Sequence, residues 1–278
     1  MDVTGFLPLQ ESGEERMNDG DYTVEDGLVY CGVCGKKKQL RIVFGDKEHV
    51  VRCLCKCEAK DLEEKKRQEE YEEQMRRINR LKDASMMDSK FRNVTFDKYE
   101  VRDENKKAFG LAKKYAERFH EMYGKNQGLL LYGPVGTGKS YTAACIANYL
   151  LGNMKSVIMT SFVKILQGIW DENKEAEYIT ILNSASLLII DDLGTERETD
   201  YALEKVYNII DSRVRANKPM IITSNLELKD MMDCDDIRKK RIYDRILECC
   251  YPVFVGGKSF RMLKAAERFD EMKDFLEE

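Results

Sequence analysis

From Lys106 onward, short and wholly apolar runs alternate with amphipathic stretches. Residues 128–132, 156–160, 187–191, 220–223 and 251–255 predict five strands, and 108–122, 140–151, 162–170, 200–216 and 262–276 predict helices around them. A strand with no polar alternation is buried on both faces. The pattern therefore predicts an α/β fold: a parallel sheet sandwiched in three layers between helices. Upstream, residues 58–82 alternate in charge, with only Leu62, Tyr71, Met75, Ile78 and Leu81 as apolar positions, which predicts a long exposed linking helix. Residues 28–57 predict short β pieces about a turn at Gly45-Asp46, and 83–100 an irregular linker. The expected organisation is an acidic disordered head at 1–27, a cysteine-rich module at 28–57, a charged helix and linker at 58–90, and a large domain at 91–278.

Charge and composition narrow the function classes. Across 278 residues, 46 basic side chains face 50 acidic ones, a net charge of −4, so the chain is not a polycation that coats nucleic acid. Hydrophobic residues at 43% supply a core, and charged residues at 35% fit a long solvated helix. The first 26 residues hold eight acids and one base, Arg16, the composition of a disordered segment. No apolar run approaches the ~18 residues of a membrane span. No signal peptide opens the chain, so a cytoplasmic location is expected. In that reducing setting nine cysteines point to metal ligation or burial rather than disulfides.

Gly133-Pro134-Val135-Gly136-Thr137-Gly138-Lys139-Ser140 has the spacing of a phosphate-binding loop between an apolar strand and a helix, and Tyr141 follows within that helix. The glycines let successive backbone N–H groups turn inward on phosphate oxygens, and the helix N-terminus adds positive potential. Lys139 is expected on the β- and γ-phosphates, and the Ser140 hydroxyl on Mg²⁺. A second apolar strand delivers Asp191 and Asp192: the first to hold Mg²⁺, the second to orient or deprotonate the attacking water. Asp192 is shorter than a glutamate, so slow, partner-stimulated hydrolysis is expected. Asn225, after the strand at 220–223, is a candidate γ-phosphate sensor or a helix cap.

Cys31-x-x-Cys34 is followed by Cys53-x-Cys55-x-Cys57. Four thiolates make a closed tetrahedral Zn²⁺ site, an iron–sulfur cluster being the alternative, and ~30 residues need such a staple to fold. One of the five is spare: Cys53 can replace Cys55, and His49 is a further candidate. Lys36, Lys37, Lys38, Arg41, Arg52 and Lys56 make the module locally basic: either a patch for nucleic acid or an acidic partner surface, screened in cis by the acidic head, or a solvated face.

The ordered set Gly-x-x-x-x-Gly-Lys-Ser, Leu-Leu-Ile-Ile-Asp-Asp-Leu-Gly, Thr-Ser-Asn, Arg-Ile-Tyr-Asp-Arg and Gly-Lys-Ser-Phe-Arg resembles AAA+ ATPases of the DnaC/DnaI type. These are replicative helicase loaders, and the transposition ATPase IstB belongs to the same clade. The resemblance covers roughly residues 90–262, with Phe91-Arg-Asn-Val-Thr-Phe96 similar to that clade's N-linker. It implies a P-loop AAA+ domain and ATP with Mg²⁺. It implies Arg241 as an arginine finger reaching a neighbouring subunit, Arg245 as a second finger or structural partner, and Arg261 as a sensor-2 arginine. The Cys-Lys-Cys-Glu before the charged helix resembles the loader pattern, which favours Cys31, Cys34, Cys55 and Cys57 as the zinc set. The implied partners are a replicative helicase, gripped by the N-terminal module, single-stranded DNA and further copies of the chain. A transposition ATPase on duplex DNA and a zinc-stabilised adaptor with a structural nucleotide site are the alternatives. Phe96 and Tyr99 are candidates for the adenine pocket, and Lys164, Arg213 and Arg215 for DNA contacts.

Overall fold

A computed structural model describes residues 20–168, 172–194 and 199–277. It divides into two compact units, Met1–Arg76 and Arg77–Glu278. In the first, β1 (Tyr22–Thr23) pairs with β2 (Val29–Tyr30), and β3 (Gln39–Phe44) with β4 (Lys47–Arg52), both antiparallel. Phe44 lies opposite Lys47, so Gly45-Asp46 is a two-residue hairpin loop, and Gly45 supplies a left-handed φ of 63°. Residues 20–26, acidic enough to read as part of the disordered head, are folded here. Helix α1 (Lys56–Ala84) begins in this unit and ends in the second. Residues 1–19 of the expected head lie outside the described residues.

The second unit opens with α2 (Lys106–Glu117) and α3 (Phe119–Gly124), where one helix was expected. The break falls at Arg118, with φ −102° and ψ 23°, and no glycine or proline marks it in the sequence. Then follow β5 (Gly128–Tyr132), α4 (Lys139–Gly152), β6 (Val157–Ser161), α5 (Phe162–Gly168) and α6 (Glu172–Ser184). The chain continues through β7 (Leu187–Leu193), α7 (Asp200–Arg215), β8 (Met220–Ser224) and α8 (Leu228–Met232). It ends with α9 (Ile237–Cys249), β9 (Cys250–Phe254) and α10 (Phe260–Glu277). Trp170, the expected end of a helix over 162–170, lies outside the described residues. Helices α6 and α9 were not foreseen, and α8 only as the helical stretch after Asn225. Charged side chains interrupt α9, which buries only Ile242, Tyr243, Ile246 and Cys249.

The five strands form one parallel sheet in the order β6-β7-β8-β5-β9. Alternate residues go to opposite faces. Leu129, Leu131, Ile189, Ile221 and Val253 pack beneath α2 and α4, and Leu130, Leu188, Ile190 and Ile222 beneath α5, α7 and α9. This is the three-layer α/β sandwich expected from the apolar runs. Chain order reverses at β5, whose neighbours are β8 and β9, so the loop after β5 opens at the switch point where ligands of such sheets bind.

The opposite, N-terminal ends of β7 and β8 are tied by Arg213. It was a candidate DNA contact, but it is fully buried and reaches no solvent. Its guanidinium donates to Pro219 O (2.9 Å) just before β8, and to Ala185 O (2.9 Å) and Ser186 O (3.0 Å) just before β7. Burial pulls it down to about 10, so it stays charged at neutral pH. Replacing Arg213 with Ala strands those carbonyls and leaves a cavity. The expected loss is about 3–5 kcal/mol of unfolding free energy, measured by chemical denaturation. A loss inside ordinary surface scatter would refute the structural role.

Candidate functional site

The C-terminal ends of four neighbouring strands supply one cleft. From β5 comes the loop 133–138. Thr137 Oγ1 donates to Pro134 O (2.9 Å), and Lys139 Nζ donates to Gly133 O (2.8 Å) and Pro134 O (2.7 Å), so the loop is folded over its own lysine. Gly136 carries a φ of 80°, and a Cβ there would stand 2.1 Å from Ser259 Oγ. That close approach matters, because Phe260 N donates to Gly136 O (2.9 Å) and ties the start of α10 to the loop.

From β7 come Asp191 and Asp192. The ladder between β7 and β8 shifts register between Ile190 and Leu193, and Asp192 takes a left-handed φ of 59°. That conformation is rare outside glycine and tolerated best by Asp and Asn. It places Asp192 in the wall of the cleft. From β8 comes Thr223, whose Oγ1 donates to Asp191 Oδ1 (2.6 Å) and receives Asp192 N (2.9 Å). One hydroxyl thus holds the Asp191 carboxylate and the Asp192 backbone. Asn225 lines the cleft and caps no helix: the α8 N-cap is Glu227, while Ser224 Oγ donates to Leu193 O and receives Leu226 N.

The cleft has a volume of about 540 Å³. Burial pushes the Asp191 carboxyl above its ordinary range, against hydrogen bonds from Thr223 and Ser140 and with Asp192 adding to the rise. Burial lowers Lys139, opposed by Asp192 and Asp191 and reinforced by Arg261. Lys139, Ser140, Asp191, Asp192, Asn225 and Arg261 therefore lie together, as does Tyr141 on the cleft wall. The wall also holds residues not foreseen in a binding role: Lys90 and Phe91 from the linker, and Phe260 and Lys264 from α10. Lys90 lies over the Phe91 ring (4.8 Å), and Arg102 over that of Phe260 (4.2 Å). Thr223 stood in the quoted Thr-Ser-Asn run; Lys90 carries no sequence signal.

Other expected site residues lie elsewhere. Phe96 and Tyr99 do not line the cleft: Tyr99 Oη pairs with Thr142 Oγ1 (2.9 Å), and Phe96 packs edge-on to Phe109. Arg241 is exposed on α9, over the Tyr207 ring (4.3 Å) and outside the cleft. Arg245 is tied to Asp211 (3.1 Å) and Glu248 (2.8 Å) on its own subunit. Lys164 pairs with Asp88, and Arg215 with Asp211 (2.7 Å).

In the first unit, Cys31, Cys34, Cys55 and Cys57 bring four sulfurs within 4.8 Å of one another. Gly35 N donates to Cys31 O (2.9 Å) across a left-handed Gly35, which makes the knuckle. A tetrahedral zinc–thiolate site sets its sulfurs roughly 3.8 Å apart, so this quartet fits the ion. The Lys36 backbone N–H pulls the Cys34 thiol down, while contact with Cys34 and burial push Cys57 up. Cys53 stands outside, with Sγ toward Lys37 O (3.4 Å), and His49 is exposed on β4. The module's basic residues are largely neutralised. Lys38 is buried between Asp21 (2.6 Å) and Glu58 (2.9 Å), Lys37 pairs with Asp26 (3.1 Å), and Arg52 pairs with Glu58 (3.1 Å).

Residues 58–268 match the family model described as IstB-like ATP binding protein. A replicative helicase loader DnaC from Buchnera aphidicola subsp. Acyrthosiphon pisum is 28% identical over 163 residues, 56% of this chain. The match spans 64% of that relative's length, under two thirds. A crystal structure of DnaI superposes with a TM-score of 0.53 at 23% identity, over 62% of this chain and 93% of that one. A crystal structure of the DnaC helicase loader gives 0.51 at 22% identity, over 61% and 100%. Both structures share the fold. No helix among the described residues is long and apolar enough to cross a membrane.

The raised Asp191 carboxyl has a signed consequence. The fold favours its protonated form, so that contribution to stability is present at acid pH and lost as pH rises through the raised value. Asp191→Asn is neutral throughout and still accepts from Thr223. Without nucleotide it is expected to melt a few degrees above the parent at about pH 8, with the gap closing toward acid. Thermal melts across that range test it, and a variant less stable at alkaline pH would contradict the burial cost.

Proposed function

This chain belongs to the IstB-like ATP binding protein family, and on that premise we propose that it hydrolyses ATP as an AAA+ loader that places a replicative helicase on single-stranded DNA. The carrying observation is the convergence of Lys139, Ser140, Asp192, Asn225 and Arg261 on one cleft, with Asp191 hydrogen-bonded to Ser140 beside it.

In this reading the backbone of 133–138 cradles the phosphates, and Lys139 leaves its own loop carbonyls for the β- and γ-oxygens. Ser140 and Asp191 hold Mg²⁺, which when bound offsets charge on the transferring phosphoryl group. Asp192 takes the proton of the attacking water, its carboxylate turned into the cleft by the left-handed backbone. Asn225 and Arg261 read the γ-phosphate. Phe91 offers an aromatic face for the base, in place of Phe96 and Tyr99. Arg241 completes a neighbour's site, a role its exposure outside its own cleft supports; Arg245 serves as structural support. Copies of the chain therefore assemble for hydrolysis, slowly and under partner control. The zinc module and α1 carry the helicase contact, and the reading places the protein in the cytoplasm.

The curated relatives named as helicase loaders favour loading. The family description favours a second reading, a transposition ATPase on duplex DNA. One experiment separates them: the purified chain is mixed with a replicative helicase, with and without Mg-ATP. A complex that requires residues 1–82 is expected, and duplex preference without helicase contact would overturn loading. Lys139→Ala should lose hydrolysis. Arg241→Ala should keep nucleotide binding while losing roughly 10³-fold in turnover at self-associating concentrations.

Zinc binding is proposed through Cys31, Cys34, Cys55 and Cys57. Elemental analysis is expected to find one zinc per chain in the parent and in Cys53→Ala, and almost none in Cys55→Ala. Loss in Cys53→Ala would change the ligand set.

A further inference from the structure

A second cavity, about 640 Å³, lies beside the later turns of α4, within the ~300–1,000 Å³ range of ligand sites. Its lining includes Lys82, Arg92, Lys98 and Lys113 against a single carboxylate, Asp97. Arg92 is paired with Asp83 (3.5 Å), whereas Lys82, Lys98 and Lys113 have no ion-pair partner among the described residues. One wall is aromatic: Phe96 and Tyr149 meet edge to face at 6.3 Å, and Tyr149 is exposed. Asn148, also in the lining, donates from Nδ2 to Phe91 O and Val94 O (2.8 Å each), while its Oδ1 is buried with no partner. Unpaired cations beside an open aromatic wall suit a ligand with both negative charge and a flat ring.

We infer that this cavity is a second nucleotide-unit site, separate from the phosphate loop, in which Lys98 and Lys113 hold a phosphate and Phe96 and Tyr149 pack a base. It lacks the parts for hydrolysis: no glycine-rich loop lines it, and Asp97 is its sole carboxylate. Sequence-tolerant strand binding uses this combination of backbone-tracking cations and stacking rings. The ligand is either a free mononucleotide or one unit of a single strand. If it is a strand, the inference rests on the loader reading above.

The test fills the phosphate cleft first. The full chain with Mg-ADP is titrated with a fluorescein-labelled single-stranded deoxythymidine oligomer, and separately with dTMP. Lys98→Ala/Lys113→Ala is expected to weaken the bound probe about tenfold or more at low salt. For the oligomer it should flatten the slope of log affinity against log salt by roughly 0.7, one phosphate's worth. Tyr149→Ala is expected to weaken binding roughly tenfold and leave that slope unchanged. A charge-matched pair on another face, Lys229→Ala/Lys240→Ala, should stay within about twofold. Unchanged Mg-ADP affinity and melting point show that the variants are folded. Binding of dTMP with the same lysine dependence makes free nucleotide a source, and binding of the oligomer alone makes it the strand. Equal loss in the charge-matched pair, no loss in Lys98→Ala/Lys113→Ala, or no binding of either probe to the parent overturns the site. Failure of Mg-ADP itself to bind counts against the reading of the phosphate cleft and leaves these titrations interpretable.

Discussion

The second unit is organised around a carboxylate that the fold buries at a cost. Asp191 is largely desolvated at the end of an apolar run, and hydroxyls from Thr223 and Ser140, with the charge of Lys90, compensate it locally. Lys139, itself partly desolvated, shares its surroundings. Charges this poorly solvated interact strongly with whatever ions enter. The same sheet pays for the arrangement at the N-terminal ends of its strands, where Arg213 satisfies the carbonyls ahead of β7 and β8.

Much of this was legible in the sequence, for a physical reason. Leu129–Leu131 and Leu187–Ile190 have no polar alternation, and a short run of that kind is stable only inside a covered parallel sheet. The phosphate loop is equally legible, because its glycines must adopt left-handed backbone that other residues avoid. What stayed hidden depends on contacts between distant segments. The turn at Asp192 follows from a ladder shift against β8. The part played by Thr223 follows from the neighbouring strand's end, and that of Lys90 from the path of the linker over α4. Helix α9 escaped notice because its buried face is only four residues.

Charge in the cysteine-bearing unit shows a different limit. Its run of lysines looks like a binding patch when counted along the chain. Folding places Asp21, Asp26 and Glu58 against those lysines and spends much of the positive charge internally. Net charge over a window says little where acid and base are drawn from either side of a turn. In the second unit three lysines with no ion-pair partner among the described residues, Lys82, Lys98 and Lys113, are scattered in sequence and gathered only by the fold.

The bond from Phe260 N to Gly136 O joins segments more than a hundred positions apart. During synthesis the phosphate loop leaves the ribosome well before β9 and the first turn of α10 exist. A nascent chain thus holds a glycine-rich loop without the backbone contact that ties it to α10, and without Arg261 beside it. The phosphate loop therefore reaches its final shape only after the last strand of the sheet has been made.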